Sequence, residues 1–284
     1  MLKKLIANVE LSRSLQYVNI GLAKGGAMAS LRSLDARDPA TWEFSGFSQN
    51  GEDGILDFLT RRMEKPNNFF LEIGASFGTE NNASWLAIAR RFSGVFVEGD
   101  PVCYRRLSNL YSRGLASGVR CHKMIVTPEN APTLLPLCPS LNIDVFSIDI
   151  DGNDFYVVRA LFDAGFRPSV AVVEYNSAFG PDRAMTVPYD SSVGFLRQDE
   201  MRLYYGVSIT GWRRFFDTVG YRFVCIETNG VNAVFANPAA FGKGFLQRVH
   251  GTPFRENRQQ LLKWGKPWQV QFESIKGREF VAIP

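Results

Sequence analysis

The sequence predicts an α/β sandwich: a largely parallel sheet of seven strands, helices on both faces, and a final antiparallel strand. Two observations carry this. From Phe69 onward, short and nearly continuous apolar runs alternate with stretches of helical period, as expected of strands buried on both faces. Near the end, two strand-like runs flank Thr228-Asn229-Gly230, a turn signal that folds them into a β-hairpin.

Residues 1–44 read as a peripheral helical extension. Leu2, Leu5, Ile6 and Val9 recur at helical spacing with Lys3 and Lys4 on the other side, and Gly21, Gly25 and Gly26 interrupt the pattern before a second helical stretch near 27–34. Such a stripe can lie on a membrane surface, but packing on the main domain or on a second subunit is the commoner fate, and the second would make a homo-oligomer through these helices. The main domain spans 45–240. After a helix at 55–63 come the runs FFLEIG (69–74), GVFVEG (94–99), VRCHKMIV (119–126), DVFSIDI (144–150) and VAVVEYN (170–176), with helical stretches at 80–92, 101–113 and 152–165 between them. A helix near 208–219 leads into YRFVCIE (221–227) and VNAVFAN (231–237). The stretch 177–207 lacks a period, but Phe179, Tyr189, Phe195, Tyr204 and Tyr205 argue against disorder, and its place after the fifth strand reads as a substrate lid. Residues 241–284 hold eight Lys/Arg against three acids and read as a solvated basic segment.

Composition excludes several classes. At 284 residues and 45% hydrophobic, the chain can bury a large core without disulfides or a structural metal. No apolar run is long enough for a membrane span, and the N-terminus lacks the features of a secretory signal. Cys103, Cys121, Cys138 and Cys225 are scattered, which excludes a disulfide framework and makes a reducing cytoplasm the expected location. The net charge of +4 contains no block of like charges, so nucleic acid is not an expected partner. With only His122 and His250, and no Gly-x-Ser-x-Gly or Gly-Lys-Ser/Thr, a Ser-His-Asp hydrolase or a phosphate loop finds no support.

Three clusters carry chemistry. The first strand ends in Glu72-Ile73-Gly74-Ala75-Ser76-Phe77-Gly78, and Glu98 closes the second strand twenty residues after Gly78. The glycines let backbone approach a flat ligand, and a strand-end acid accepts hydrogen bonds from ribose hydroxyls. The spacing is not G-x-G-x-x-G, so a nucleoside without a pyrophosphate fits better, S-adenosylmethionine above all. The alternatives are an NAD(P)-dependent oxidoreductase and a catalytically silent nucleoside-binding or interaction domain. The second cluster is Asp149-Ile150-Asp151-Gly152-Asn153-Asp154 ending the fourth strand, with Glu174-Tyr175-Asn176 ending the fifth. Asp149 and Glu174 should converge above the sheet, as a general-base pair or as hard oxygen ligands for Mg²⁺, unless Asp151 or Asp154 only caps the next helix. The third is Ser48-Gln49-Asn50-Gly51-Glu52-Asp53, read either as a helix cap or as a loop closing on the cofactor through Gln49 and Glu52.

In order and spacing, Ser48-Gln49-Asn50-Gly51-Glu52-Asp53, Glu72-Ile73-Gly74, Val97-Glu98-Gly99-Asp100-Pro101, Ile148-Asp149-Ile150-Asp151-Gly152 and Val173-Glu174 resemble FkbM-type methyltransferases across 45–240. The resemblance implies a class I S-adenosylmethionine-dependent fold with its characteristic strand order. It also implies O-methylation of a sugar, a glycosylated metabolite or another small natural product. It implies cofactor contacts from Glu72, Gly74, Ala75, Ser76 and Gly78, ribose contact from Glu98, and Asp149 beside the transferring methyl. Glu72 stands where the family commonly has Asp, and Asp151 where it commonly has Glu. The acids also resemble those of magnesium-dependent sugar O-methyltransferases, which implies Asp149, Glu174 and Asn176 as metal ligands, with Asn176 in place of an expected carboxylate.

Overall fold

The computed structural model describes residues 2–112, 116–191 and 203–284. In chain order the strands are β1 (Phe69–Ile73), β2 (Ser93–Glu98), β3 (Val119–Lys123), β4 (Val145–Ile148), β5 (Val170–Glu174), β6 (Met185–Thr186), β7 (Arg222–Ile226), β8 (Asn232–Ala236) and β9 (Val281–Ala282). The helices are α1 (Leu2–Ser30), α2 (Glu52–Thr60), α3 (Ser84–Ile88), α4 (Pro101–Tyr111), α5 (Asp154–Asp163), α6 (Ile209–Thr218), α7 (Arg258–Trp264) and α8 (Trp268–Ile275).

The main sheet has seven strands in the order β3-β2-β1-β4-β5-β8-β7. β1 to β5 run parallel, and β8 lies antiparallel to both β5 and β7. Seven strands, largely parallel, with the expected hairpin reversing one of them, match the architecture read from the sequence. Gly230, at φ +72, supplies the left-handed residue of that turn. The buried Glu227 carboxylate accepts from the Asn229, Gly230 and Asn232 amides around it.

The pleat divides each strand between two cores. Phe69, Leu71 and Ile73 face the layer of α5 and α6, while Phe70 faces that of α2, α3 and α4. Glu72 therefore points to the second layer, toward the start of α3, and Ser147 does the same from β4.

Two expectations change. The glycines near residue 25 do not break the N-terminal helix: α1 is continuous from Leu2 to Ser30. A Cβ on Gly21 would lie 2.7 Å from the Gly46 carbonyl, and one on Gly25 would lie 2.8 Å from the Trp85 ring. Here glycine permits close packing of α1 on the 44–47 segment. The basic segment 241–284 is folded, with α7, α8 and β9. α8 packs against 177–179, and β9 pairs antiparallel with β6. Of the expected lid at 177–207, residues 192–202, Phe195 among them, lie outside the described residues. Phe179, Val187 and Leu203 are buried in a small core with Ile275. No helix is long and apolar enough to cross a membrane among the described residues.

Candidate active site

The sheet order reverses between β1 and β4, and at such a switch point the two crossovers diverge to opposite faces and leave a crevice above the strand ends. A cavity of about 550 Å³ occupies it, lined from the ends of β1, β2 and β4.

β1 delivers the glycine turn. Gly74 has φ +86, and a Cβ there would lie 1.8 Å from the Asp149 carbonyl oxygen, so no other residue fits between the two strand ends. The turn uses its own amides: Gly74 and Ala75 donate to the Val97 carbonyl at 2.9 and 3.1 Å, and Gly78 donates to Ala75. Ser76 donates to Glu98 at 2.7 Å. Gly74 and Ser76 line the cavity. Ala75 is fully buried in the core, and Gly78 packs against Leu107 and Tyr111, so these two shape the turn from behind.

Glu72 lies at the floor with both carboxylate oxygens engaged, by the Asn82 amide at 2.9 Å, the Ala83 amide at 2.8 Å and the Asn81 side chain at 3.2 Å. Burial pushes it up to about 7 against these hydrogen bonds. Glu98 accepts from Ser76 and from Asp100 at 2.7 Å. The Gly99 amide also bonds it, which leaves one acceptor position for a ligand hydroxyl, since a carboxylate oxygen accepts two hydrogen bonds. Beside Glu98, Cys103, Met124, Ile125 and Val126 form an apolar wall suited to a flat ring. Sequence reading missed these residues, because an apolar strand end looks like ordinary core.

The 48–53 cluster divides between its two readings. Asp53 is buried, accepts from the Gly46, Phe47 and Ser48 amides, and donates its own amide to the Ser48 hydroxyl, which is capping. Glu52 is fully buried and does not line the cavity; it holds Asn50 through two hydrogen bonds and the Asn232 side chain at 2.6 Å. Gln49 and Asn50 face the cavity, with Gln49 donating to Glu80 across it at 3.2 Å.

Strands β4 and β5 bring Asp149, Asp151 and Glu174 together, with one oxygen of each within 4.8 Å of the others. Asp149 and Glu174 lie close enough to hydrogen-bond, which favours one protonated and one ionised carboxyl over two charges. Burial pushes Asp149 up to about 8, with the charges of Asp151 and Asp154 adding to it; its oxygens reach the cavity, but protein surrounds the pair on its other sides. Burial and the Asp149 charge push Glu174 well above the usual carboxylate range. The Tyr205 hydroxyl donates to Glu174 and accepts from the Gln260 side chain at 3.2 Å. Asp154 opens α5 and holds the turn before it, accepting from the Ile150 and Gly152 amides.

Asn176 does not join the acids, which corrects its expected role as a metal ligand. Its side-chain oxygen accepts from the Ala178 amide at 2.9 Å, and its NH₂ donates to the Leu203 and Tyr205 carbonyls at 2.6 and 2.9 Å. Asp151 takes the third place. These three carboxylates are the residues that could hold a divalent cation here.

No family model matches this chain, and the search of curated proteins finds no match. Among solved structures, a putative O-methyltransferase from Klebsiella pneumoniae is similar at 16% identity and TM-score 0.41, over 78% of this chain and 89% of that one. The O-methyltransferase TomG from Streptomyces achromogenes, in complex with SAM, is similar at 18% identity and TM-score 0.43, over 77% and 97%. The N-terminal domain of EvdMO1, determined with SAH and D-fucose, is similar at 14% identity and TM-score 0.41, over 66% and 82%.

Proposed function

We propose that the chain is an S-adenosylmethionine-dependent methyltransferase acting on a hydroxyl of a small molecule, a sugar or glycosylated metabolite. The observation that carries this is the position of Glu72. In dinucleotide-binding folds the helix after the first strand offers its free N-terminal amides and positive dipole end to a pyrophosphate. Here the Asn82 and Ala83 amides at the start of α3 are already held by the Glu72 carboxylate. A phosphate there would meet a carboxylate, which disfavours the NAD(P) alternative and suits a nucleoside carrying no phosphate. Glu98 would hold the ribose, and the wall of Met124 to Val126 the adenine ring.

When bound, the cofactor supplies an electrophilic sulfonium methyl. The residues align the acceptor oxygen with it and take up the proton the hydroxyl sheds. Asp149 and Glu174 cannot both ionise freely at such contact, so the pair works as a single base with a raised affinity for that proton. A Mg²⁺ ion on Asp149, Asp151 and Glu174 would instead hold the acids ionised and acidify a bound hydroxyl.

Calorimetric titration tests the cofactor: S-adenosylhomocysteine should bind in the micromolar range and NAD⁺ should not. Binding of NAD⁺ alone would overturn the reading. Binding of S-adenosylhomocysteine without methyl transfer to any acceptor in a broad hydroxyl panel would favour a silent binding domain.

A further inference from the structure

Beside the cofactor cavity lies a second one of about 300 Å³, which shares Gln49, Asn50, Asp149, Asp151 and Val231 with it. Its size is at the low end of ligand pockets and leaves room for one small ring. The acids Asp149, Asp151 and Glu174 lie at its inner end. The outer wall comes from Tyr205 and from α7 of the C-terminal segment, where sequence reading placed no site.

That wall is firmly held. Asn257 caps α7 by accepting from the Gln259 and Gln260 amides at 2.9 and 3.1 Å, and its own amide donates to the Ser177 hydroxyl at 2.9 Å. Gln260 is buried and tied to both Ser177 and Tyr205. Trp264 is half-buried, with part of its surface against the small core of Phe179, Val187 and Leu203. At the rim, the exposed Lys263 ammonium lies 4.6 Å from the centre of the Trp264 ring, and no ion pair to it occurs among the described residues.

We propose that this second cavity is the acceptor subsite, and that it takes a hydroxylated ring bearing an anionic substituent. A hydroxyl points in toward Asp149 and Glu174, the ring lies along Trp264, and the anion meets Lys263. The chemistry is graded along the cavity: acids at one end, the amide of Gln260 between, and a cation on an aromatic face at the other. An ionised group at the acid end would be repelled, so an anionic ring can bind in only one direction. This assignment rests on the methyltransferase reading for the side from which the methyl arrives.

The test uses the full chain with and without saturating S-adenosylhomocysteine, titrated with methyl β-D-glucuronide and with neutral methyl β-D-glucoside. The glucuronide should bind about fivefold more tightly, an advantage that shrinks at high salt and disappears in Lys263→Gln. Trp264→Ala should weaken both probes roughly tenfold. Neither substitution should change S-adenosylhomocysteine affinity, which also reports that each variant is folded. Equal affinity for the two probes, an anionic preference that survives Lys263→Gln, or no binding of either probe would overturn the assignment. Failure of the wild-type chain to bind S-adenosylhomocysteine, with the probe preference intact, would overturn the methyltransferase reading and leave the anionic-ring subsite standing.

Discussion

Glu72 accepts three hydrogen bonds from the turn before α3, and the amide form cannot imitate it. Glu72→Gln replaces one acceptor oxygen with a donor facing either the Asn82 or the Ala83 amide, so one buried hydrogen bond is lost. The expected cost is about 1–3 kcal/mol, read from urea unfolding; an unchanged midpoint would sink this account of the residue. The strand-end acids allow a sharper contrast. If the Asp149–Glu174 pair is the base, EDTA leaves turnover unchanged. Turnover then rises as pH climbs through about 8 and falls below it, because the base must be deprotonated. If a divalent ion is required, EDTA abolishes turnover and Mg²⁺ restores it, and Asp149→Asn loses metal and activity while keeping cofactor affinity. Near-normal turnover in both Asp149→Asn and Glu174→Gln would make the cluster structural and refute both versions. The withdrawal of Asn176 from the acids removes the reason for doubting the metal that its neutral amide had supplied, since Asp151 brings a full charge in its place.

Two adjacent glycine positions separate packing from helix propensity in α1. Gly26 has no neighbour within 4 Å of an added Cβ, whereas Gly25 faces Trp85 at 2.8 Å and the Gly46 Cα at 3.1 Å. Gly26→Ala should stabilise the protein by about 0.5–1 kcal/mol, because alanine loses less backbone freedom on folding. Gly25→Ala should destabilise it despite the same gain in propensity, and thermal unfolding of the two variants reads the difference in sign. The case also shows where the sequence was legible and where it was not. The five inner strands follow from apolar runs whose burial on both faces leaves a plain pattern, and the closing hairpin from its turn signal. The glycines of α1 look like breaks, because a sequence shows a missing side chain but not the partner that needs its absence. The same limit hid α7: Gln260, Lys263 and Trp264 form a wall only after β9 pairs with β6 and α8 packs on 177–179. At the site, Gly74, Ser76, Glu98 and Asp149 were readable from strand-end position. The structural duties of Glu52, Ala75 and Gly78 were not, because lining a cavity and supporting it from behind call for the same residue types.

Taken together, the buried acids make the fold favour mildly acidic conditions. Burial raises Glu43, Asp53 and Glu72 to about 7, and Glu227 to about 8. A carboxyl group raised in the folded state binds its proton more tightly there than in the unfolded chain, so its contribution is present at low pH and lost as pH rises through the folded value. Asp57 opposes this, held below the usual range by Arg61 and Arg90 in spite of its burial, and its contribution is lost toward strong acid. The melting temperature should therefore peak near about pH 5 and drop by a few degrees or more by about pH 8. Calorimetry across that range checks it, and a flat or rising profile would mean that these acids are not held as tightly as the geometry implies. The wall common to the two cavities has a consequence for turnover. Gln49, Asn50, Asp149, Asp151 and Val231 line both chambers, so any shift of these residues by one occupant is felt by the other. The two ligands are then linked in a closed thermodynamic cycle, each changing the other's affinity by the same factor whichever arrives first. If that factor favours co-occupancy, the demethylated cofactor retains the methylated product as strongly as the product retains it, and the enzyme's pace is set by the departure of the pair.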